Sequence, residues 1–560
     1  NKIVKFEKSS MVPDRDGIFN YYISDGRWKM WNEELKADKF VIPPHANYNE
    51  ITIPTTETLK MEYLLKLMID NKKPLMLVGP TGTGKSLYVA NYLKSLPTET
   101  THTIFMSLSA QTSANQVQDI IDGKLEKRGR GVFGPPFGKK AIVFVDDANM
   151  PALEQYGAQP PIELLRQYMD HSGWYDRKDR SFRTIKDSQF IIAMGPPGGG
   201  KNPLTARYMR HFNMVSLCSF SETVMDCIFG QLMDWFLAKN GIGIGDHIGR
   251  VYKAIVPATI DLYKRISTDL LPTPTKSHYL FNLRDVARII QGTQMLPKAF
   301  ADDHRKIARL WLHEATRVFS DRLISDEDQE WFYNALNRVC HDQIREDMKT
   351  TLKPIANDSV SLEDPETLRA LKFGDLLGNE LTTLDRSYDE ILTYHEVQRR
   401  VEMYLEEYNS ISKKPMPLVM FSFAIEHVLR ICRILRMPGG NALLVGVGGS
   451  GRQSLTRLAS YMCSFDIFEV EITKMYNVEQ WRDDLRNLIR NCGLEGKYCV
   501  FLLSDTQLRF NFMFEDLNNM LNTSEVPNLF ETEDLMQAID RLRVIAKREH
   551  REDILSQGTN

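Results

Sequence analysis

The sequence has little of what marks a secreted or a membrane protein. Its 560 residues include only 7 cysteines, and none of them forms a Cys-x-x-Cys pair. An odd, scattered set of cysteines predicts reduced thiols in an intracellular protein rather than a disulfide framework. There is no signal peptide, and no apolar run approaches the ~20 residues that a transmembrane helix needs. The first residue is Asn rather than Met, so we expect a segment of a longer protein.

Neither sign of charge is in excess. The chain carries 70 basic and 73 acidic residues, a formal net charge of -3, which gives no argument for binding to nucleic acid or to a membrane. Hydrophobic residues make up 42% and charged residues 26%, the balance of a soluble protein with buried cores. A chain of this length has room for several domains of ~100–200 residues.

The clearest motif is a glycine-rich loop between a short apolar strand, Leu75–Val78, and a helix predicted over Leu87–Leu96. Glycines allow backbone N–H groups to converge on phosphate oxygens, and the helix N-terminus adds its positive dipole end. The loop predicts a site for ATP or ADP, with the lysine on the phosphates and the serine hydroxyl on Mg²⁺. The predicted contact residues are Gly79, Pro80, Thr81, Gly82, Thr83, Gly84, Lys85, Ser86 and Leu87.

Two carboxylates follow the next apolar strand, Ala141–Val145. Asp146 is the predicted second Mg²⁺ ligand, and Asp147 stands where a catalytic base would orient the attacking water. Glu is the commoner residue there, and the shorter Asp should hold the water less well. The alternative is that both aspartates only cap a turn. A third strand, Phe190–Ala193, is followed by Gly195, where many such ATPases have a polar side chain. Glycine at that place predicts slow hydrolysis more than weak binding.

Three arginines are candidates for contacts with phosphate. Arg207 and Arg210 precede another apolar strand and predict an arginine finger directed at a neighbouring module; the alternative is a solvated helix end. Arg284 lies where helical patterns dominate, from 222 to about 350, and it would reach back to the phosphates or lie on the surface. Strands alternating with helices before this region predict a parallel α/β sheet.

A second glycine-rich loop departs from the motif. It follows a predicted helix, Phe421–Leu435, and a predicted strand, Ala442–Val445. Arg replaces the lysine and Gln replaces the Mg²⁺-holding Ser/Thr, and Arg is planar and bulkier than Lys. We expect nucleotide binding at most, with little hydrolysis. The predicted contact residues are Gly446, Val447, Gly448, Gly449, Ser450, Gly451, Arg452, Gln453 and Ser454.

The strand that matches this second loop, Val500–Leu503, is followed by a single carboxylate, Asp505. No acidic residue stands beside it to orient water. Glu515 and Asp516 come later, and we expect them on the surface of a helix.

Two such loops in tandem, one intact and one altered to Gly-Val-Gly-Gly-Ser-Gly-Arg-Gln-Ser, resemble the third and fourth AAA+ modules of an axonemal dynein heavy chain. Stretches 143–151, 156–166, 278–284 and 518–530 are also similar to that family, so the resemblance covers essentially the whole chain. It implies a ring of six linked modules that moves along microtubules by ATP hydrolysis. The third module would regulate that cycle, and the fourth would carry the microtubule-binding stalk.

The resemblance also assigns roles residue by residue. Lys85 and Ser86 match the Walker A pair, and Asp146 and Asp147 match Walker B. Arg284 matches the sensor arginine of the helical small subdomain. Arg210 best matches the finger aimed at the second module's site, with Arg207 as the fallback.

The implied fold is α/β, tandem AAA+ P-loop NTPase modules. The implied domains are a connector (1–50), the large subdomain of the third module (51–220), its helical small subdomain (221–350), a linker and helix (351–415) and an incomplete large subdomain of the fourth module (416–560). The implied partners are other modules of the same heavy chain, dynein intermediate and light chains and microtubules, with no nucleic acid and no membrane. The implied location is the cytoplasm and cytoskeleton, in the axoneme of a cilium or flagellum. The alternatives are a stand-alone AAA+ remodelling ATPase, which would need intact catalytic residues, and a scaffold with vestigial P-loops.

Overall fold

The structure is a computed structural model that describes residues 17–24, 26–33, 41–43, 46, 48, 51–301, 303–355, 365–376, 386–412 and 414–548. These residues form two compact units. The first unit holds the described residues up to Val224 together with Asn511–Asn528, and the second holds Met225–Phe510 and the described residues from Leu529 onward. Within the described part of the chain, no helix is long and apolar enough to cross a lipid bilayer.

The strands are short and spread over the whole chain. In chain order they are β1 (Tyr21–Ser24), β2 (Arg27–Met30), β3 (Leu75–Val78), β4 (Thr101–Ser107), β5 (Glu126–Gly129), β6 (Val132–Gly134), β7 (Lys140–Asp146), β8 (Gly173–Tyr175), β9 (Phe182–Ile185), β10 (Ser188–Met194), β11 (Asn213–Ser216), β12 (Phe373–Gly374), β13 (Asp389–Glu390), β14 (Asp466–Glu469) and β15 (Cys499–Leu502).

Helices make up most of the second unit and cover the sheet of the first. In chain order they are α1 (Thr56–Asp70), α2 (Lys85–Ser95), α3 (Ala114–Asp122), α4 (Pro160–His171), α5 (Ala206–Met209), α6 (Glu222–Lys239), α7 (His247–Asp269), α8 (Leu283–Thr293), α9 (His304–Val318), α10 (Asp326–Val339), α11 (Met348–Leu352), α12 (Thr367–Ala370), α13 (Tyr394–Ile411), α14 (Ser422–Arg436), α15 (Arg452–Met462), α16 (Val478–Glu495), α17 (Asn511–Thr523) and α18 (Thr532–Arg548).

A parallel sheet of five strands, in the order β11-β3-β10-β7-β4, forms the centre of the first unit. Its middle strands are near-continuous apolar runs because both faces are buried. Met76, Val143 and Ile192 pack in the core on one face, and the residues that alternate with them pack in the core on the other. Since β10 lies between β3 and β7, the residues that follow these three strands meet at one edge of the sheet. The strands predicted at 75–78, 141–145 and 190–193 are confirmed.

The second unit is helical around α9. Trp311, Ala315 and Phe319, which follow one another at helical spacing, are fully buried there. The segment 351–385, at the start of the predicted linker, is partly buried. In its described part Leu371 and Phe373 are almost fully buried, because the short strand β12 pairs with β13 and carries apolar side chains into the core. Residues 356–364 and 377–385 of that segment lie outside the described residues.

The strand predicted at 442–445 is wrong. These residues are not in a strand, and Leu443 and Val445 are 90% and 86% exposed. In the first unit the corresponding strand, β3, pairs only with β10 and β11, both of which come later in the chain than β7. In the second unit β14 and β15 pair with each other, and no further strand follows β15 among the described residues. The apolar run therefore has no ladder partner among the described residues.

Candidate nucleotide site

The first glycine-rich loop has the backbone that a phosphate cradle needs. Gly82 and Gly84 have φ of +83° and +77°, a region where a Cβ is strained. Gly84 is the N-cap of α2, which begins at Lys85, so the N–H groups of the first helical turn face the loop. A Cβ on Gly79 would lie 2.6 Å from the carbonyl oxygen of Leu217, so the chain next to β11 also requires glycine at the start of the loop.

The side chain of Lys85 extends from the start of α2 back into this loop. Its Nζ donates to the carbonyl oxygens of Gly79 (2.8 Å) and Pro80 (2.6 Å), and the side chain is buried. The Thr83 hydroxyl donates to the same Pro80 oxygen at 3.0 Å. The loop thus holds an ammonium group at the place where its N–H groups converge, and phosphate oxygens can replace carbonyl oxygens as the acceptors.

The two predicted Mg²⁺ ligands are brought together by the sheet. The Ser86 hydroxyl lies close enough to the carboxylate of Asp146, at the end of β7, to influence its pKa. Burial raises the pKa of Asp146, the Ser86 hydroxyl and the Lys85 charge lower it, and the adjacent Asp147 raises it. Carboxylate and hydroxyl oxygens are suitable ligands for a hard divalent cation, whose charge would offset this burial. The donor set therefore fits Mg²⁺.

Asp147 lies beside that carboxylate in a left-handed backbone conformation, with φ of +49°. Its backbone N–H donates to Asp146 Oδ1 at 3.0 Å. The Asp146 carboxylate therefore also caps the turn, which is the alternative role given above. The Asp147 side chain is 42% exposed and lies 3.6 Å from the ammonium of Lys201, Oδ1 to Nζ. Lys201 is not among the site residues predicted from the sequence.

Gly195 lies directly after β10, between the loop and the two aspartates. Its carbonyl accepts from Asn149 Nδ2 at 2.8 Å, and Asn149 is fully buried. This bond ties the end of β10 to the segment after β7. Lys85, Ser86, Asp146, Asp147 and Gly195 therefore share one edge of the sheet, as predicted.

The three arginine candidates are all exposed. Arg207 is exposed on the short helix α5. Arg210 follows that helix with 63% of its side chain exposed, and its Nη2 donates to Asp170 Oδ1 at 2.8 Å. That bond holds the pKa of Asp170 below its ordinary value. Arg284 is exposed in the first turn of α8, which belongs to the second unit. The roles of all three remain predictions.

The second loop keeps the backbone of the first although its sequence departs from it. Gly449 and Gly451 have φ of +81° and +78°, and Gly451 is the N-cap of α15, which begins at Arg452. Arg452 Nη2 donates to the carbonyl oxygen of Val447 at 3.3 Å. Val447 follows the first glycine of its loop as Pro80 does in the other. The geometry therefore supports a phosphate cradle here, while Gln453 is exposed and offers no hydroxyl.

Comparison with known proteins gives one consistent answer. Residues 40–220 match the family model of the P-loop containing dynein motor region, and residues 416–557 match the P-loop containing dynein motor region D4. Residues 255–353 match the AAA+ lid domain. The chain belongs to the dynein heavy chain family. The predicted fold of tandem AAA+ P-loop modules with a helical lid is confirmed.

Three similar relatives of this dynein segment are axonemal heavy chains. It is 43% identical over 551 residues to mouse Dynein axonemal heavy chain 3, covering 98% of this chain and 13% of the relative. It is 42% identical to human Dynein axonemal heavy chain 1, covering 92% and 12%. It is 46% identical to human Dynein axonemal heavy chain 12, covering 86% and 16%. The chain spans only a small part of the length of these relatives.

A buried carboxylate of the dynein segment corrects one prediction. Glu515 on α17, expected on the helix surface, is 5% exposed, and Asp516 is 8% exposed. The hydroxyls of Ser109 and Thr112, in the chain after β4, donate to Glu515; the Thr112 Oγ1 to Glu515 Oε2 distance is 2.9 Å. The contact lies within the first unit, so a helix that follows the second loop in sequence packs on the module of the first. Local sequence patterns give no signal for such a contact.

We expect Glu515→Ala to lower the free energy of unfolding by about 1–3 kcal/mol, because the buried Thr112 hydroxyl and the half-buried Ser109 hydroxyl lose their acceptor. Burial raises the pKa of Glu515, so the stability that its protonated form contributes is lost as pH rises through the folded-state pKa. Glu515→Gln keeps an acceptor without the buried charge and should be at least as stable as wild type at neutral pH. Calorimetric unfolding of the three proteins checks this. Equal destabilisation by Gln and Ala would show that the charge itself holds the contact.

Proposed function

We propose that the first loop of this dynein segment binds Mg-ATP or Mg-ADP and hydrolyses ATP slowly, while the second loop binds nucleotide with little dependence on Mg²⁺. The observation that carries the proposal is the cluster of the Lys85 ammonium, the Ser86 hydroxyl and the Asp146 carboxylate at one sheet edge. Mg²⁺, when bound there, would neutralise charge on the phosphates. Lys85 and the loop amides would hold those phosphates, and Asp147 would orient water.

The wider role of the segment is part of the same proposal. It contains the third module and residues of the fourth module of an axonemal motor ring, with the domain boundaries given above. The matches to two dynein motor regions and to axonemal relatives support this assignment. In the full chain its partners would be the other modules, the intermediate and light chains, and microtubules, in the cytoskeleton of a cilium or flagellum. Nucleotide at the first loop would regulate the motor cycle.

The asymmetry between the two loops is tested by nucleotide binding with and without Mg²⁺. We expect one strongly Mg²⁺-dependent site, at the first loop, because only that loop has a hydroxyl next to its lysine. Arg452→Ala should weaken the Mg²⁺-independent site about tenfold to a hundredfold, the worth of one charge-assisted contact, and leave the Mg²⁺-dependent site unchanged. A fluorescent ADP analogue titrated in Mg²⁺ and in EDTA measures both.

Arg338→Ala is the matched control, since it removes an exposed arginine from α10 of the same unit. It should leave both sites as they are. Two sites with equal and strong Mg²⁺ dependence would contradict the proposed asymmetry.

A further inference from the structure

The space above Gly195 is filled by a lysine from farther along the chain. A Cβ built on Gly195 would lie 2.4 Å from Lys201 Nζ and 2.9 Å from Lys201 Cδ. The side chain of Lys201 therefore lies where a side chain of residue 195 would begin. Glycine at the end of β10 is what allows Lys201 to be there.

The backbone fixes Lys201 in this place. Gly198, Gly199 and Gly200 have φ of +117°, +59° and +87°, conformations that favour glycine. They reverse the chain, and Gly198 and Lys201 exchange two backbone hydrogen bonds of 3.0 and 3.1 Å. The next residue, Asn202, donates its backbone N–H to Asn149 O (2.9 Å) and its Nδ2 to Pro151 O (2.8 Å). This hairpin is thus anchored to the segment that carries Asp146 and Asp147.

Lys201 consequently lies at the sheet edge where the phosphate site is built. Gly195 follows β10, which lies between β3, leading to the phosphate loop, and β7, leading to Asp146. The N–H of Gly79, the first loop residue, donates to Met194 O at 3.2 Å, so the loop and the end of β10 are in direct contact. The ammonium lies 3.6 Å from Asp147 Oδ1, and the Lys201 side chain is 16% exposed.

We propose that Lys201 is a nucleotide-contacting residue that allows the first site to distinguish a nucleoside triphosphate from a diphosphate, through an ion pair between its ammonium and the γ-phosphate. The inference rests on the proposed binding of Mg-nucleotide at the first loop. Lys201 takes the place of the neutral polar side chain that Gly195 lacks. In the triphosphate complex its ammonium binds a γ-phosphate oxygen, and in the diphosphate complex it keeps its ion pair with Asp147.

The charge of the Lys201 ammonium favours discrimination between a triphosphate and a diphosphate over a general increase in nucleotide affinity. A partly buried ammonium gains most from the ligand that brings additional negative charge next to it, and a diphosphate lacks the terminal group. Lys85 lies inside the loop and binds either nucleotide. Removal of Lys201 should therefore act on the triphosphate alone.

The test uses Lys201→Met in the 560-residue chain, which keeps the length of the side chain and removes its charge. Mg²⁺-dependent affinities are measured for ADP and for a non-hydrolysable β,γ-imido analogue of ATP. We expect Lys201→Met to weaken the triphosphate analogue about tenfold to a hundredfold and to leave ADP within twofold of wild type. Lys140→Met is the control, because this exposed lysine begins β7 at the opposite edge of the sheet.

The ratio of the two affinities distinguishes a phosphate contact from a structural role. Unchanged ADP binding shows that the variant is folded and that the loop is intact. An equal loss for both nucleotides, or no loss for either, would overturn the inference and leave the proposed function standing. A wild-type chain that binds neither nucleotide in a Mg²⁺-dependent manner would overturn the proposed function, and this inference with it.

Discussion

The purified chain is expected to release phosphate from ATP about a thousandfold or more below the ~10 s⁻¹ of a median enzyme. Asp147 has a short side chain in a left-handed conformation beside Lys201, and Gly195 offers no side chain to position water. Arg207 and Arg210 are exposed on the surface of the first unit and are predicted to serve the site of a neighbouring module. The first loop would in turn need an arginine from another module, and such an arginine is worth ~10³–10⁵ in rate in phosphoryl transfer. Steady-state phosphate release measures the turnover.

Two variants separate slow turnover from contamination. Lys85→Ala should remove whatever activity belongs to the first loop, and any residual rate is background. Asp147→Asn should change the small remaining rate by much less than the ~10²–10⁴ that the loss of an efficient general base would cost. Turnover near 10 s⁻¹ that Asp147→Asn abolishes would mean that the chain contains a complete and fast active site.

Mg-nucleotide is expected to stabilise the first unit, and Lys85→Ala to abolish most of that effect. A ligand that binds only the folded state stabilises it by about 4 kcal/mol at a thousandfold excess over its Kd. Lys85 would supply the charge-assisted contacts on which that Kd depends. Calorimetric unfolding with and without saturating Mg-ADP measures the difference.

Lys94→Ala is the control for this second result, since Lys94 is exposed at the other end of α2. Lys85→Arg makes the first loop resemble the second and should keep only part of the stabilisation, because a guanidinium is planar and bulkier than an ammonium. Full stabilisation of Lys85→Ala would mean that Lys85 does not hold the phosphates.

Most of the first site could be predicted because its signals are local. The apolar run before Gly79, the glycines that follow and the aspartates after β7 lie within short stretches of sequence. A parallel sheet then brings the ends of its strands to one edge. The burial of Trp311, Ala315 and Phe319 also has a local signal, since helical spacing indicates a buried stripe directly.

The features that the sequence did not reveal all depend on contacts between distant residues. Apolar residues 442–445 have the composition of a strand, but a parallel strand also needs neighbours, which local composition does not report. Glu515 is predicted to lie on a helix surface, whereas its contacts with Ser109 and Thr112 bury it. Lys201 follows three glycines, and its place is fixed by a hairpin anchored to Asn149.

The central claim is that the chain has one Mg²⁺-dependent nucleotide site, at the first loop. Equilibrium dialysis of radiolabelled ADP in excess Mg²⁺, with parallel cells in EDTA, measures the number of such sites. The account predicts one Mg²⁺-dependent equivalent per wild-type chain, which Lys85→Ala loses and Arg452→Ala keeps. A Mg²⁺-dependent equivalent that Lys85→Ala retains and Arg452→Ala loses would contradict it.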